Sequence, residues 1–198
     1  MKFLKENSYD ILRLYINQIG ITIFSLVLYF SVSMLEDEVI SLRLKVAISV
    51  FAMLFFFALL YTAAWDWGAK DKIRIEGGKM KKNLAKGALM ALFANVVNFV
   101  LAAGCVISIW MYIKGVESAL SASQIFNLFL RMTNAMYIGV LQGIFSAFES
   151  QDNLYNLYQS IGFLAAPLLA VAATHIGYIF GLKNKRIFPA VSKPQNKK

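Results

Sequence analysis

Five long apolar stretches run through this sequence, separated by short polar segments. They cover residues 18–35, 46–65, 88–113, 124–148 and 158–181. A bilayer core about 30 Å thick needs roughly 20 apolar residues for each helical crossing. The pattern therefore predicts an all-α integral membrane protein. We expect a bundle of five long apolar helical segments in a single transmembrane domain, residues 1–182.

The polar segment between the second and third stretches, residues 66–86, is rich in basic side chains. These are Lys70, Lys72, Arg74, Lys79, Lys81, Lys82 and Lys86. Short loops rich in Lys and Arg stay in the cytoplasm. The segment thus predicts a cytoplasmic basic loop and a cytoplasmic N-terminus, with residues 36–45 and 149–157 outside. Anionic lipid headgroups attract such charges, and the expected headgroup contacts are Lys70, Lys72, Arg74, Lys79, Lys81 and Lys82.

Residues 183–198 contain six basic residues and no acidic one, and they predict a flexible polybasic tail in the cytoplasm. Five simple crossings would instead place this tail outside. Three interpretations stay open. Residues 118–148 form a broken or re-entrant hairpin with Arg131, Thr133 and Asn134 at its tip, one of the five stretches does not cross, or five crossings depart from the charge rule.

Composition agrees with a membrane location. The chain has 198 residues, of which 59% are hydrophobic and 16% charged, whereas soluble domains average nearer half and a quarter. The net charge is +9, and all basic residues except Arg131 flank the apolar stretches. The expected anionic partner is therefore the bilayer, and no nucleic acid is expected. One cysteine, Cys105, excludes an intramolecular disulfide.

Neutral amides and one cation interrupt the apolar stretches. A charged residue at the bilayer centre costs about 2.5–3.5 kcal/mol, so Arg131 should face protein or water. One interpretation is that these side chains form interhelical hydrogen bonds. The other is a polar intramembrane site for an anionic or polar small solute. The candidate residues are Asn95, Asn98, Asn127, Arg131, Asn134 and Gln142.

The sequence offers no set of catalytic residues. His175 is the only histidine, and the apolar stretches contain no Asp or Glu, so we expect neither a metal site nor a cofactor. A pair of Cys105 and His175 would need to be adjacent in space to act as nucleophile and base. Proton relays and cation pathways usually use intramembrane acids. Catalysis and proton- or sodium-coupled transport are therefore disfavoured.

Three motifs in the first half of the chain resemble small, uncharacterised polytopic membrane proteins of Gram-positive bacteria. They are residues 15–20, YINQIG, then Tyr61-x-x-x-Trp65-x-x-Gly68-x-Lys70-Asp71, and then Lys86-Gly87. The resemblance implies a multi-pass protein of the bacterial plasma membrane. It carries no assigned activity and assigns no functional residue.

These observations favour a non-enzymatic membrane subunit or adaptor. It would act through anionic lipid and through a membrane protein partner or a second copy of itself. The alternative is a small-solute binding or transport protein with its polar intramembrane site around Arg131.

Overall fold

A computed structural model of the chain describes residues 2–146 and 152–187. Within these ranges the chain forms α-helices and no strand, which confirms the predicted all-α class. The helices are α1 Lys2–Ser33, α2 Glu38–Glu76, α3 Lys86–Ala94, α4 Val96–Ile113, α5 Ala119–Thr133, α6 Ala135–Phe145 and α7 Asp152–Leu182. Residues 147–151, which include the end of one predicted crossing and the start of a predicted outer loop, lie outside the described residues.

Four of the described helices, α1, α2, α4 and α7, are long and apolar enough to cross a membrane. They indicate a multi-pass membrane protein. Five crossings are not confirmed, because the predicted crossing 124–148 is divided between two shorter helices, α5 and α6. The division falls at Asn134, whose φ of −126° and ψ of 33° are not helical. The predicted crossing 88–113 is interrupted in a similar way at Asn95.

Helix α2 extends well beyond its apolar part. Asp37 caps its start by accepting a hydrogen bond from Ile40 N at 3.0 Å. At its other end Gly78 adopts a φ of 70°, which lets Lys79 N donate to Arg74 O at 2.9 Å. The first half of the predicted basic loop is therefore helical, and the connection itself is residues 77–85. With 39 residues α2 is about 58 Å long, so it projects beyond a hydrocarbon core of about 30 Å.

The polar connections gather at two ends of the bundle. The basic end contains the start of α1, the 77–85 connection and the end of α7. Gly87 at the start of α3 packs against Tyr178, and the rings of Phe3 and Phe93 lie 6.1 Å apart. The acidic end contains the 34–37 turn, with Glu36 and Asp37, and the 114–118 turn.

The backbones of α2 and α7 approach each other at glycines. A Cβ atom added at Gly177 would lie 2.5 Å from Tyr61 O, and one added at Gly181 would overlap Trp65 O. Gly68 of α2 faces Tyr178 O in the same contact. Small residues spaced four apart allow this close packing of membrane helices. Since position 61 faces 177 and position 65 faces 181, the two helices run in the same direction.

Helices α5 and α6 form two arms that meet near the middle of the bundle. Helix α5 runs antiparallel to α4, because Gly104 lies against Phe126 while Asn98 bonds to Asn134. Helix α6 then runs back along α2, with Gly139 N donating to Ser49 Oγ at 2.9 Å and Gly143 against Val46. Both arms therefore occupy the acidic half of the bundle. The predicted tip residues, Arg131, Thr133 and Asn134, therefore lie near the middle of the bundle and not at its basic end.

The chain turns back after α7. Trp65 Nε1 donates a hydrogen bond to Lys185 O at 2.6 Å, and the Arg186 guanidinium lies 3.8 Å from the centre of the Trp65 ring. Ile187 N donates to Tyr61 Oη at 3.1 Å. Residues 183–187 thus contact α2 and do not form the free tail predicted for them. Residues 188–198 of that tail lie outside the described residues.

Labelling of single cysteines in intact cells tests this arrangement, in a Cys105→Ser background. Asn83→Cys and Lys183→Cys lie at the basic end and should react from the same side of the membrane. Glu36→Cys and Glu117→Cys should react from the other side. Reaction of Asn83→Cys and Lys183→Cys from opposite sides would contradict the two arms and favour five plain crossings.

Candidate functional site

Three of the predicted site residues form a continuous chain of amides. Asn134 Nδ2 donates to Asn98 Oδ1 at 3.1 Å, and Asn98 Nδ2 donates to Asn95 Oδ1 at 3.0 Å. Asn95 Nδ2 donates in turn to Ala91 O at 2.9 Å. All three asparagines are buried. We call this set the amide chain; it joins α3 and α4 to the point where α5 and α6 meet.

The amide chain lies where the helices are interrupted. A break in a membrane helix frees backbone groups that must find other partners. Thr22 Oγ1 of α1 donates to Thr133 O at 3.0 Å, so a side chain of another helix satisfies a carbonyl next to the break. The Oδ1 atom of Asn134 is buried and has no hydrogen-bond partner in the described part of the chain. The Asn134–Asn98 hydrogen bond thus joins α4 to the junction of α5 and α6.

Arg131 lies in a second group, one turn before the break. Its Nε donates to Asn127 Oδ1 and its Nη2 donates to Gln159 Oε1, both at 2.6 Å. Gln159 belongs to the first turns of the described part of α7, near the acidic end. Among the described residues no carboxylate lies within ion-pair distance of Arg131. Its positive charge is therefore held by neutral side-chain carbonyls.

Gln142, the sixth predicted residue, is separate from both groups. It accepts a hydrogen bond from Tyr29 Oη at 3.0 Å, and the Lys45 ammonium lies 5.2 Å from the centre of the Tyr29 ring. The structure thus divides the six predicted residues into three groups. Sequence analysis missed two of their partners, Gln159 and Tyr29. The sequence does contain a signal for Gln159, because it is an amide side chain inside an apolar stretch, like the predicted site residues.

The basic end contains an ion pair that sequence analysis did not single out. Asp71 of α2 is only 2% exposed. Its Oδ2 atom lies 2.7 Å from Lys86 Nζ and accepts a hydrogen bond from Tyr178 Oη at 2.9 Å. Arg74 Nη1 is 3.8 Å from the other oxygen. One carboxylate therefore connects α2, α3 and α7 at the point where the basic connection begins.

A cavity of about 530 Å³ opens beside this ion pair, between the start of α1 and the 77–85 connection. We call it the basic cleft, and its cationic lining residues are Arg74, Lys81, Lys82 and Lys86. Glu6 is the acidic residue in the lining. The cleft thus brings together three of the six predicted headgroup contacts. The others, Lys70, Lys72 and Lys79, do not line it, and Lys72 lies 3.7 Å from Glu76 instead.

No protein-family model matches the chain, and comparisons with curated proteins and with solved structures find no match either.

Replacing the buried carboxylate should show how much the basic end depends on it. Asp71→Asn leaves Lys86 buried without its anion, and breaking a buried pair typically costs about 3–5 kcal/mol. We expect a large fall in the melting temperature of the purified protein. The double variant Asp71→Asn/Lys86→Met should recover much of this loss, because no unpaired charge remains. A double variant that melts as low as Asp71→Asn would show that the ion pair is not the cause.

Proposed function

We propose that this chain is a non-enzymatic membrane subunit or adaptor of the bacterial plasma membrane that acts through anionic lipid. Its N-terminus and basic end would face the cytoplasm, as the charge rule favours. The observation that carries the proposal is the basic cleft, in which Arg74, Lys81, Lys82 and Lys86 surround one cavity at the end of the bundle.

The charges at this end are suited to a bilayer surface. Lys81 and Lys82 are exposed, and neither has a carboxylate within ion-pair distance in the described ranges. Basic residues close to an anionic leaflet contribute about 1 kcal/mol each, and the effect fades within about 10 Å. The projecting end of α2 carries Arg74 into that layer. Lipid binding here would hold the basic end at the membrane surface, where a membrane protein partner or a second copy of the chain could bind.

A second candidate function rests on Arg131. The membrane interior penalises a charge that lacks a compensating partner. In the described part of the chain, Arg131 donates hydrogen bonds to the neutral oxygens of Asn127 and Gln159. We therefore propose, as the alternative, that a small anion or an anionic metabolite binds beside this guanidinium.

A comparison of lipids tests the first proposal. The purified protein should melt higher in nanodiscs that contain phosphatidylglycerol than in nanodiscs of phosphatidylcholine alone. The triple variant Lys79/Lys81/Lys82→Gln should lose most of this difference, because up to about 3 kcal/mol of attraction is removed before screening. If wild type and variant respond equally to the two lipids, the charges only set topology.

A screen of small anions tests the second proposal. Chloride, acetate and larger metabolite carboxylates should raise the melting temperature of wild type and leave that of Arg131→Gln unchanged. Arg43→Gln is the control, because Arg43 is an exposed arginine near the acidic end. A shift that persists in Arg131→Gln would remove Arg131 from the site.

A further inference from the structure

An apolar groove of about 310 Å³ lies beside the basic cleft, between α1 and the α3–α4 segment. Leu4, Ile11 and Tyr15 line it on one side, and Phe93 and Val97 on the other. Leu4 is 40% exposed and Val97 46% exposed, so the groove is open along its length.

Two neighbouring aromatic rings connect the cleft with the groove. Phe3 lines the basic cleft, Phe93 lines the groove, and their ring centres are 6.1 Å apart. Helix α3 also runs from the cleft to the groove, because Lys86 lines the cleft and Phe93, two turns later, lines the groove. The polar cavity and the apolar groove are thus neighbours, with this pair of rings between them.

We propose that the cleft and the groove together bind one anionic phospholipid, with its phosphate in the basic cleft and one acyl chain in the groove. This inference rests on the proposed function and specifies its ligand. It differs from a general attraction to anionic bilayers, because it assigns one molecule to one place.

The charge of the cleft suits a phosphodiester. Four basic side chains line it against one acidic lining residue, Glu6. Asp71 accepts hydrogen bonds from Lys86 and Tyr178, so its negative charge offsets part of the positive charge of the cleft. Lys81 and Lys82 have no carboxylate within ion-pair distance in the described part of the chain, which leaves their ammonium groups to bind a phosphate.

The dimensions also agree with a lipid. From Lys86 to Val97 the helical rise is about 16 Å, at about 1.5 Å per residue. One leaflet of a hydrocarbon core about 30 Å thick has about the same depth. A headgroup at Lys86 thus places its acyl chain alongside Phe93 and Val97. Free inorganic phosphate has the same charge chemistry but would make no use of the groove.

The test uses the full-length protein in detergent, titrated with dioleoyl-phosphatidylglycerol, with bound lipids counted by native mass spectrometry. Dioleoyl-phosphatidylcholine and inorganic phosphate are the comparison ligands. Wild type should retain one phosphatidylglycerol per chain. Lys81/Lys82→Gln should weaken this binding by at least about tenfold. Its matched control, Lys183/Lys185→Gln, removes the same charge from exposed residues at the same end that do not line the cleft, and its binding should stay within about twofold of wild type.

The groove has its own pair of variants. Val97→Phe should fill it and weaken retention several-fold. Val100→Phe adds the same bulk at a position that is 62% exposed and does not line the groove, and it should bind normally. Melting curves in phosphatidylcholine show whether each variant remains folded.

Three results would overturn the inference. Equal weakening by the two lysine pairs would show diffuse attraction, which leaves the proposed function intact. Full competition by inorganic phosphate, together with normal binding by Val97→Phe, would identify a phosphate site without an acyl chain. Equal retention of phosphatidylcholine and phosphatidylglycerol by wild type would exclude selection of an anionic headgroup and would count against the proposed function as well.

Discussion

Close contact between the backbones of α2 and α7 determines how the rest of the bundle is placed. In a bilayer the hydrophobic effect does not draw helices together, so association depends on tight packing and on hydrogen bonds. Gly68 and Gly181 let the two backbones touch. Tyr178 is thereby brought within 2.9 Å of Asp71, and Gly87 of α3 packs on the same tyrosine. A side chain at either glycine would separate the two helices and break the hydrogen bond from Tyr178 to Asp71.

The buried carboxylate gives the basic end a fixed shape. Asp71 is bonded by residues 15 and 107 positions away in the chain. Such a pair gains little net stability over apolar packing, but it is costly to break once formed. Its effect here is to fix where the 77–85 connection leaves α2 and enters α3. The basic cleft therefore lies beside a buried, fully bonded carboxylate, although Lys81 and Lys82 themselves are exposed.

The apolar pattern predicted the helical class, the membrane location and most of the long helices, because burial in lipid needs continuous apolar runs. Apolar runs alone do not mark the break at Asn134, whose side chain bonds to Asn98, 36 residues earlier. The hairpin interpretation, with Arg131, Thr133 and Asn134 at its tip, came from the charge rule. The free-energy cost of placing Arg131 at the bilayer centre did indicate that residues 118–148 are not a simple crossing. The polar composition of residues 66–86 predicted a loop throughout, but residues 66–76 are the last turns of α2. The Gly77–Gly78 pair is the local signal that marks the true end of that helix.

The two arms that meet at Asn134 also limit what Arg131 can do. Arg131 bonds to Gln159 near the acidic end, and the amide chain lies between it and the basic end. On that further side α2, α3 and α7 close around Asp71 and Tyr178. The buried amide chain therefore separates Arg131 from the basic end of the bundle. A solute that moved from Arg131 towards the basic end would have to break the Asn134–Asn98 hydrogen bond.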